Sequence, residues 1–161
     1  MCIRDRQRKY YRLVRRQGAT ADVPGDRGQS LKQDRLVYDR QEVADLGKLT
    51  SGDLVEIELE IESKNDYEYL VFEDPKAAGL EPVDRQSGYT GGFPAVYRQL
   101  RDDRVAFFFR TLARGKHSIS YRMRAEIPGR FSALPTRGSA MYAPELKANS
   151  DEIRLGIVDR R

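Results

Sequence analysis

Nine consecutive residues restrict this chain more than any others. From Leu54 to Glu62 the sequence reads LVEIELEIE, so Val55, Ile57, Leu59 and Ile61 alternate with Glu56, Glu58, Glu60 and Glu62. Successive side chains of a strand point to opposite faces, whereas a helix would scatter both sets around its axis. The stretch therefore reads as a strand with one buried and one wet face, the antiparallel pattern. Burying four aliphatics is worth on the order of 6–12 kcal/mol gross, an upper bound. A one-residue slip would turn four carboxylates inward, so the register is firmly set. Ser51-Gly52-Asp53 before it and Lys64-Asn65-Asp66 after it are turns.

The same criteria predict further strands over Lys9–Arg16, Tyr67–Asp74, Lys116–Ile127 and Asp151–Val158, and a hairpin of Ala95–Leu100 with Arg104–Leu112. Tyr67–Asp74 and Arg104–Leu112 carry apolar residues on both faces, as interior strands do. Leu36–Leu46 reads as a short strand or as irregular chain. Gln17–Gln33 has the Gly and Pro content of a mobile loop, and Pro75–Gly92 has room for one helical turn at most. The sum is an all-β chain, an antiparallel β-sandwich of about seven strands with little or no helix. A length of 161 residues suits one domain, and 39% hydrophobic against 34% charged residues suits a thin two-layer core. The opening hexapeptide Met1–Arg6, MCIRDR, is similar to the translated end of a sequencing-library adapter. It is set apart as a non-native segment, leaving residues 7–161 as the domain.

Few chemistries fit these residues. His117 is the only histidine and Cys2 the only cysteine, so a Cys/His metal site has no ligand set. His117 falls at a strand start and reads as a solvent-facing strand-end residue. The glutamates of 56–62 stand roughly 7 Å apart along their strand, too far to chelate one cation unaided. Asn65, Asp66, Glu73 and Asp74 could help to hold Ca²⁺, but without the spacing of an EF-hand. No Gly-rich loop joins a strand to a helix. The net charge of +4 is concentrated early, at Arg8, Lys9, Arg12, Arg15 and Arg16, and reads as a solvated strand face. No aromatic stacking platform for RNA accompanies it, so no nucleic-acid partner is expected. No cofactor and no catalytic constellation is expected.

The stretch that needs explaining is Gly129–Ser150, GRFSALPTRGSAMYAPELKANS, which reads as one long loop between the last two strands. Connections of this length are usually functional or lid-like. Phe131, Leu134, Met141, Tyr142 and Leu146 make it apolar, and Pro135, Gly138 and Pro144 stiffen or kink it. Met141 and Tyr142 admit two readings: a satellite cluster tucked under the loop, or a tip projecting onto a partner domain.

Three stretches, SGDLVEIELEIESKNDYEYLVFEDPKAAGLEPV, LRDDRVAFFFRTLARGKHSISYRMRAEIPGRFSALPTRG and AMYAPELKANSDEIRLGI, occur in this order with KYYRLVR as an opening strand. Together they resemble the C-terminal macroglobulin-like domain of the bacterial alpha-2-macroglobulin family. The resemblance implies a non-catalytic β-sandwich module of a large periplasmic or surface-anchored protease trap. In such a protein a neighbouring domain carries a Cys–Gln thioester. It further implies that the AMYAPE loop, through Met141 and Tyr142, shields that thioester. The implied partners are the thioester and macroglobulin domains of the parent chain and, through the parent, trapped proteases. Membrane attachment would come only through a parent lipid anchor. No Cys-X-X-Gln motif occurs here, so this chain cannot form the thioester itself. The alternative is an independent β-sandwich module for adhesion or glycan binding, which would present aromatics on a sheet face.

Overall fold

The computed structural model describes residues 8–16, 20–24, 30–34, 37–43, 46–84, 86–90, 95–143 and 145–160, with backbone alone for 20–24 and 30–34. In chain order the strands are β1 (Arg8–Arg15), β2 (Thr20–Pro24), β3 (Ser30–Asp34), β4 (Tyr38–Glu42), β5 (Leu49–Thr50), β6 (Leu54–Ser63), β7 (Tyr67–Pro75) and β8 (Leu80–Pro82). They continue with β9 (Gly88–Tyr89), β10 (Val96–Leu100), β11 (Arg104–Leu112), β12 (Gly115–Ala125), β13 (Gly129–Ala133), β14 (Arg137–Ala140), β15 (Lys147–Asn149) and β16 (Ile153–Val158). The helical content among the described residues is one 3₁₀ turn, Leu46–Lys48.

A five-stranded sheet, β4-β1-β6-β12-β8, faces a six-stranded sheet, β15-β14-β7-β11-β10-β9. A third sheet, β13-β16-β5, contributes Leu49, Ala133, Leu155 and Ile157 to the same core. Pairing is antiparallel except between β16 and β5, whose parallel register joins Ile157 to Leu49. The antiparallel sandwich expected from alternation is what forms. The seven expected strands are β1, β6, β7, β10, β11, β12 and β16. The expected count of about seven falls short because short strands of five residues or fewer complete the sheets. Gln17–Gln33, read as a mobile loop, contains β2 and all but the last residue of its partner β3, in register from Thr20 opposite Asp34 to Pro24 opposite Ser30. The helical turn allowed in Pro75–Gly92 is replaced by β8 and β9. Leu36–Leu46, left open, contains β4.

The alternation of β6 decides the packing as expected. Val55, Ile57, Leu59 and Ile61 are buried, and Tyr10, Ile119, Tyr121 and Met123 of the flanking strands join them. From the opposite sheet come Leu70, Phe72, Val105, Phe107 and Phe109. Phe72 meets Phe109 edge-on at 5.4 Å, and Phe107 reaches across to Tyr121 at 5.7 Å, geometries that favour aromatic pairs. Gly138 on β14 lies against the Phe72 ring: a Cβ there would stand 2.6 Å from Cε1. The residue read as a kink is a glycine because a buried ring occupies the space of its side chain.

The glutamate face of β6 is less wet than expected. Glu56 is buried and held by Arg40 at 2.9 Å and Arg122 at 3.5 Å; Arg40 also reaches Glu58 at 2.8 Å, and Lys9 reaches Glu60 at 2.7 Å. The Arg40 guanidinium lies 4.0 Å over the Tyr11 ring, a cation–π contact. Burial pushes the Glu58 carboxyl up, but hydrogen bonds from Ser118 and Arg40 hold it below the ordinary carboxylate range. Arg12 pairs with Asp53 at 2.8 Å and Arg16 with Asp39. Much of the early basic cluster is thus matched within the chain, in line with the strand-face reading.

Candidate functional site

The long loop expected over Gly129–Ser150 is itself β structure. β13 pairs with β16, and β14 and β15 form a hairpin whose register runs from Arg137 opposite Asn149 to Ser139 opposite Lys147. These strands have three to five residues and many small side chains, too little contrast for period-2 patterning to reveal. Ala140 N–H donates to the Leu146 carbonyl at 3.1 Å, and Leu146 N–H to the Ala143 carbonyl at 2.9 Å. Met141 and Tyr142 therefore occupy the tip of a closed hairpin. Pro144 lies outside the described residues.

The apolar residues of this segment divide into two groups. Phe131, Ala143 and Leu146 pack against the core. Leu134 is 54% exposed, Met141 50% and Tyr142 80%. The satellite-cluster reading fits the first group, not Met141 and Tyr142.

What holds the tip is Tyr69 on β7. The Met141 N–H donates to the Tyr69 carbonyl at 2.8 Å, and the Tyr69 and Tyr142 rings meet at 5.3 Å and 81°. Tyr69 has φ +54° and is the one non-glycine residue with positive φ among the described residues. For a side chain of this bulk that conformation is a true outlier, costing roughly 1–2 kcal/mol. Sequence alone had no means of revealing this backbone: nothing in Tyr67-Glu68-Tyr69 carries the Gly or Asn signal of a left-handed residue.

The feet of the hairpin are anchored in the core. Arg8 Nη2 pairs with Asp74 Oδ1 at 2.6 Å and donates to the Leu134 carbonyl at 2.7 Å and to Thr136 Oγ1 at 2.8 Å. The Thr136 hydroxyl donates to Asp74 Oδ1 at 2.8 Å, and Tyr121 OH to Asp74 Oδ2 at 2.5 Å. Thr136 N–H donates to Ser150 Oγ at 2.8 Å, and Ser150 N–H returns a bond to the Thr136 carbonyl at 2.9 Å. Burial pushes the Asp74 carboxyl above its ordinary value while Arg8, Tyr121 and Thr136 pull against it. Burial also works against the Arg8 charge, but Asp74 and the neighbouring Tyr10 keep its pKa above the usual value. Burial and Asp74 together drive the Tyr121 phenol well up. Arg8 and Asp74 are thus a buried structural pair. The sequence reading assigned Arg8 to the solvated face and Asp74 to a possible Ca²⁺ cluster, so both are corrected here. Asp74 is spoken for by Arg8, Glu73 pairs with Arg104 at 2.8 Å, and Asp66 accepts the Arg114 N–H at 2.7 Å, so the acidic cluster is not assembled.

Other surfaces offer less chemistry. His117 sits half-buried at the start of β12, its Nε2 2.7 Å from the Ala113 carbonyl. A shallow groove of ≈ 850 Å³ runs along β13 and β16, with Arg130 and Arg154 as its charged lining and no carboxylate or histidine. On the outer face of the six-stranded sheet, Tyr89, Tyr97 and Phe108 form one cross-strand row. The Tyr89 and Tyr97 rings meet edge-on at 71°. The hairpin tip combines exposure, soft apolar chemistry and a rigid mounting. It can cover a surface and exclude water, and it presents no strong nucleophile.

The model of the bacterial alpha-2-macroglobulin MG10 domain matches residues 24–145, a span that includes the tip. An alpha-2-macroglobulin of Thermotoga maritima is 33% identical over 124 residues, covering 68% of this chain and 8% of its own length. An alpha-2-macroglobulin homolog of Nostoc sp. is 29% identical over 120 residues, covering 70% of this chain and 6% of that protein. Among solved structures, native alpha-2-macroglobulin from Escherichia coli, spanning domain MG7 to the C-terminus, superposes with a TM-score of 0.59. Its identity is 20%, and the match covers 97% of this chain and 24% of that one. The chain therefore spans less than a tenth of the curated relatives named here. With three quarters of its residues matched by the domain model, the chain belongs to the bacterial alpha-2-macroglobulin MG10 domain family.

Proposed function

We propose that this chain is a non-catalytic module near the C-terminus of a much larger alpha-2-macroglobulin, and that its hairpin tip packs on and shields the thioester domain of that parent. The observation that carries this reading is the exposed Met141–Tyr142 pair mounted on a closed, core-anchored hairpin. A thioester survives only where water and amines are kept out. A polarizable thioether beside an aromatic ring fills an irregular apolar surface without attacking it. The chain's small share of its relatives' length supports a parent with other domains. The parent would trap proteases in the periplasm or at the cell surface, and Met1–Arg6, outside the described residues, would be no part of the native domain.

In a thioester-bearing parent, Met141→Ala and Tyr142→Ala each speed methylamine incorporation by about tenfold, the cost of losing one buried apolar side chain. An unchanged rate in both variants contradicts the shielding role. The second reading, a glycan-binding module, draws on the Tyr89–Tyr97–Phe108 row. It ranks lower because rings meeting edge-on form no flat platform for a sugar. It predicts glycan affinity in the 161-residue chain that Tyr89→Ala abolishes.

A further inference from the structure

We infer that Tyr69 is the positioning residue of the hairpin tip: it clips Tyr142 and Met141 from below and so sets the angle at which they are presented. Its importance for shielding rests on the function proposed above; its action on the tip does not. Three independent features converge on this one residue. Its carbonyl takes the Met141 N–H, its ring packs edge-on against Tyr142, and its backbone is left-handed.

The backbone explains how a strand residue can do this. The β7–β11 register passes from Phe109 opposite Leu70 to Thr111 opposite Glu68 and skips Tyr69. On the other side β14 pairs with β7 as far as Ala140 opposite Leu70, and the Met141 bond to Tyr69 is the next step of that ladder. Tyr69 thus leaves the ladder with β11 while extending the one with the hairpin. A bulky residue stays in such a conformation only when its surroundings over-determine it. Here those surroundings include the tip itself, so ring contact and backbone turn hold each other. Because Tyr69 is 40% exposed, its ring contributes little to the core and can be altered without unfolding the domain.

Amide exchange on the 161-residue chain tests the clip, whatever the tip covers. Tyr69→Ala raises exchange at Met141 and Leu146 about tenfold and leaves core amides such as Ile57 and Phe107 unchanged. Tyr69→Phe keeps the ring and restores the original rates. Tyr69→Gly adopts the left-handed backbone freely but has no ring, so it loosens the tip as Ala does. Unchanged exchange at the tip in Tyr69→Ala overturns the inference, and so does a Gly variant that matches the parent sequence. Methylamine incorporation by the full-length thioester protein then separates the two proposals. Acceleration by both Tyr69→Ala and Tyr142→Ala, with the double variant no faster than either, supports clip and shield together. Acceleration by Tyr142→Ala alone overturns Tyr69 as the positioning residue and leaves the shield standing. If neither variant accelerates the reaction the shield falls, and the exchange rates alone decide for or against the clip.

Discussion

Ile57 and Glu58 are neighbours on β6 with opposite demands. Ile57 is buried between the sheets, whereas Glu58 lies on the outer face between Arg40 and the Ser118 hydroxyl. Ile57→Glu places an unpaired charge in the core and costs more than about 4 kcal/mol. Glu58→Ile gives up a partly exposed ion pair and a hydrogen bond, worth about 1 kcal/mol. Urea melts of the two variants check the contrast, and equal losses refute the assignment of faces. Both environments were legible in LVEIELEIE, because alternation states which side is wet. What alternation leaves out is the neighbour across the sheet. Arg8 and Lys9 look alike in sequence, yet Lys9 faces Glu60 on the surface while Arg8 turns inward to Asp74. Tyr69 shows the same limit, since its left-handed backbone follows from contacts with the hairpin and has no local signature.

Among the elements, long strands announced themselves and short ones did not. β12 has eleven residues and carries Ile119, Tyr121, Met123 and Ala125 in phase, enough repeats for a period to register. β14 and β15 offer Gly138, Ser139, Ala140 and Ala148, small side chains with little polar–apolar contrast, and Gly138 is fixed by close packing against Phe72 of β7. The connection was recognised as unusual and its Met141–Tyr142 tip was singled out, but its architecture and its anchor were not readable. That anchor makes a sharp prediction. Asp74→Ala leaves Arg8 charged and buried without its partner, at a cost of about 3–5 kcal/mol, and adding Arg8→Met recovers part of the loss. The pair also leaves a signature in pH. Burial raises the folded pKa of Asp74 above its unfolded value. Between those two values the folded state keeps a proton that the unfolded chain has released, so stability from this group falls as pH rises. Glu58, with a lowered folded pKa, contributes in the opposite sense and loses stability as pH falls. Subtracting the stability curve of the Arg8→Met/Asp74→Ala variant from that of the parent sequence isolates the Asp74 slope; a difference that rises with pH in that window contradicts it.

At the scale of the whole molecule, a sandwich with a filled core holds an apolar tip away from that core. Its own stability does not require Met141 there: Met141→Ala shifts the unfolding free energy by no more than about 0.5 kcal/mol, as exposed substitutions do. The tip makes sense as a surface for something else, and in an alpha-2-macroglobulin the proposed occupant is the thioester domain. Whether that tip is covered can be measured without reference to thioester chemistry. Met141 is half exposed in this chain, while Met123 is fully buried and serves as an internal standard. Peroxide oxidation followed by peptide mass spectrometry, on the 161-residue chain and on the full-length native parent, compares the two methionines directly. Docking of the tip predicts that Met141 oxidises readily in the chain alone and about tenfold more slowly in the parent, with Met123 slow in both. Equal oxidation of Met141 in the two proteins contradicts it.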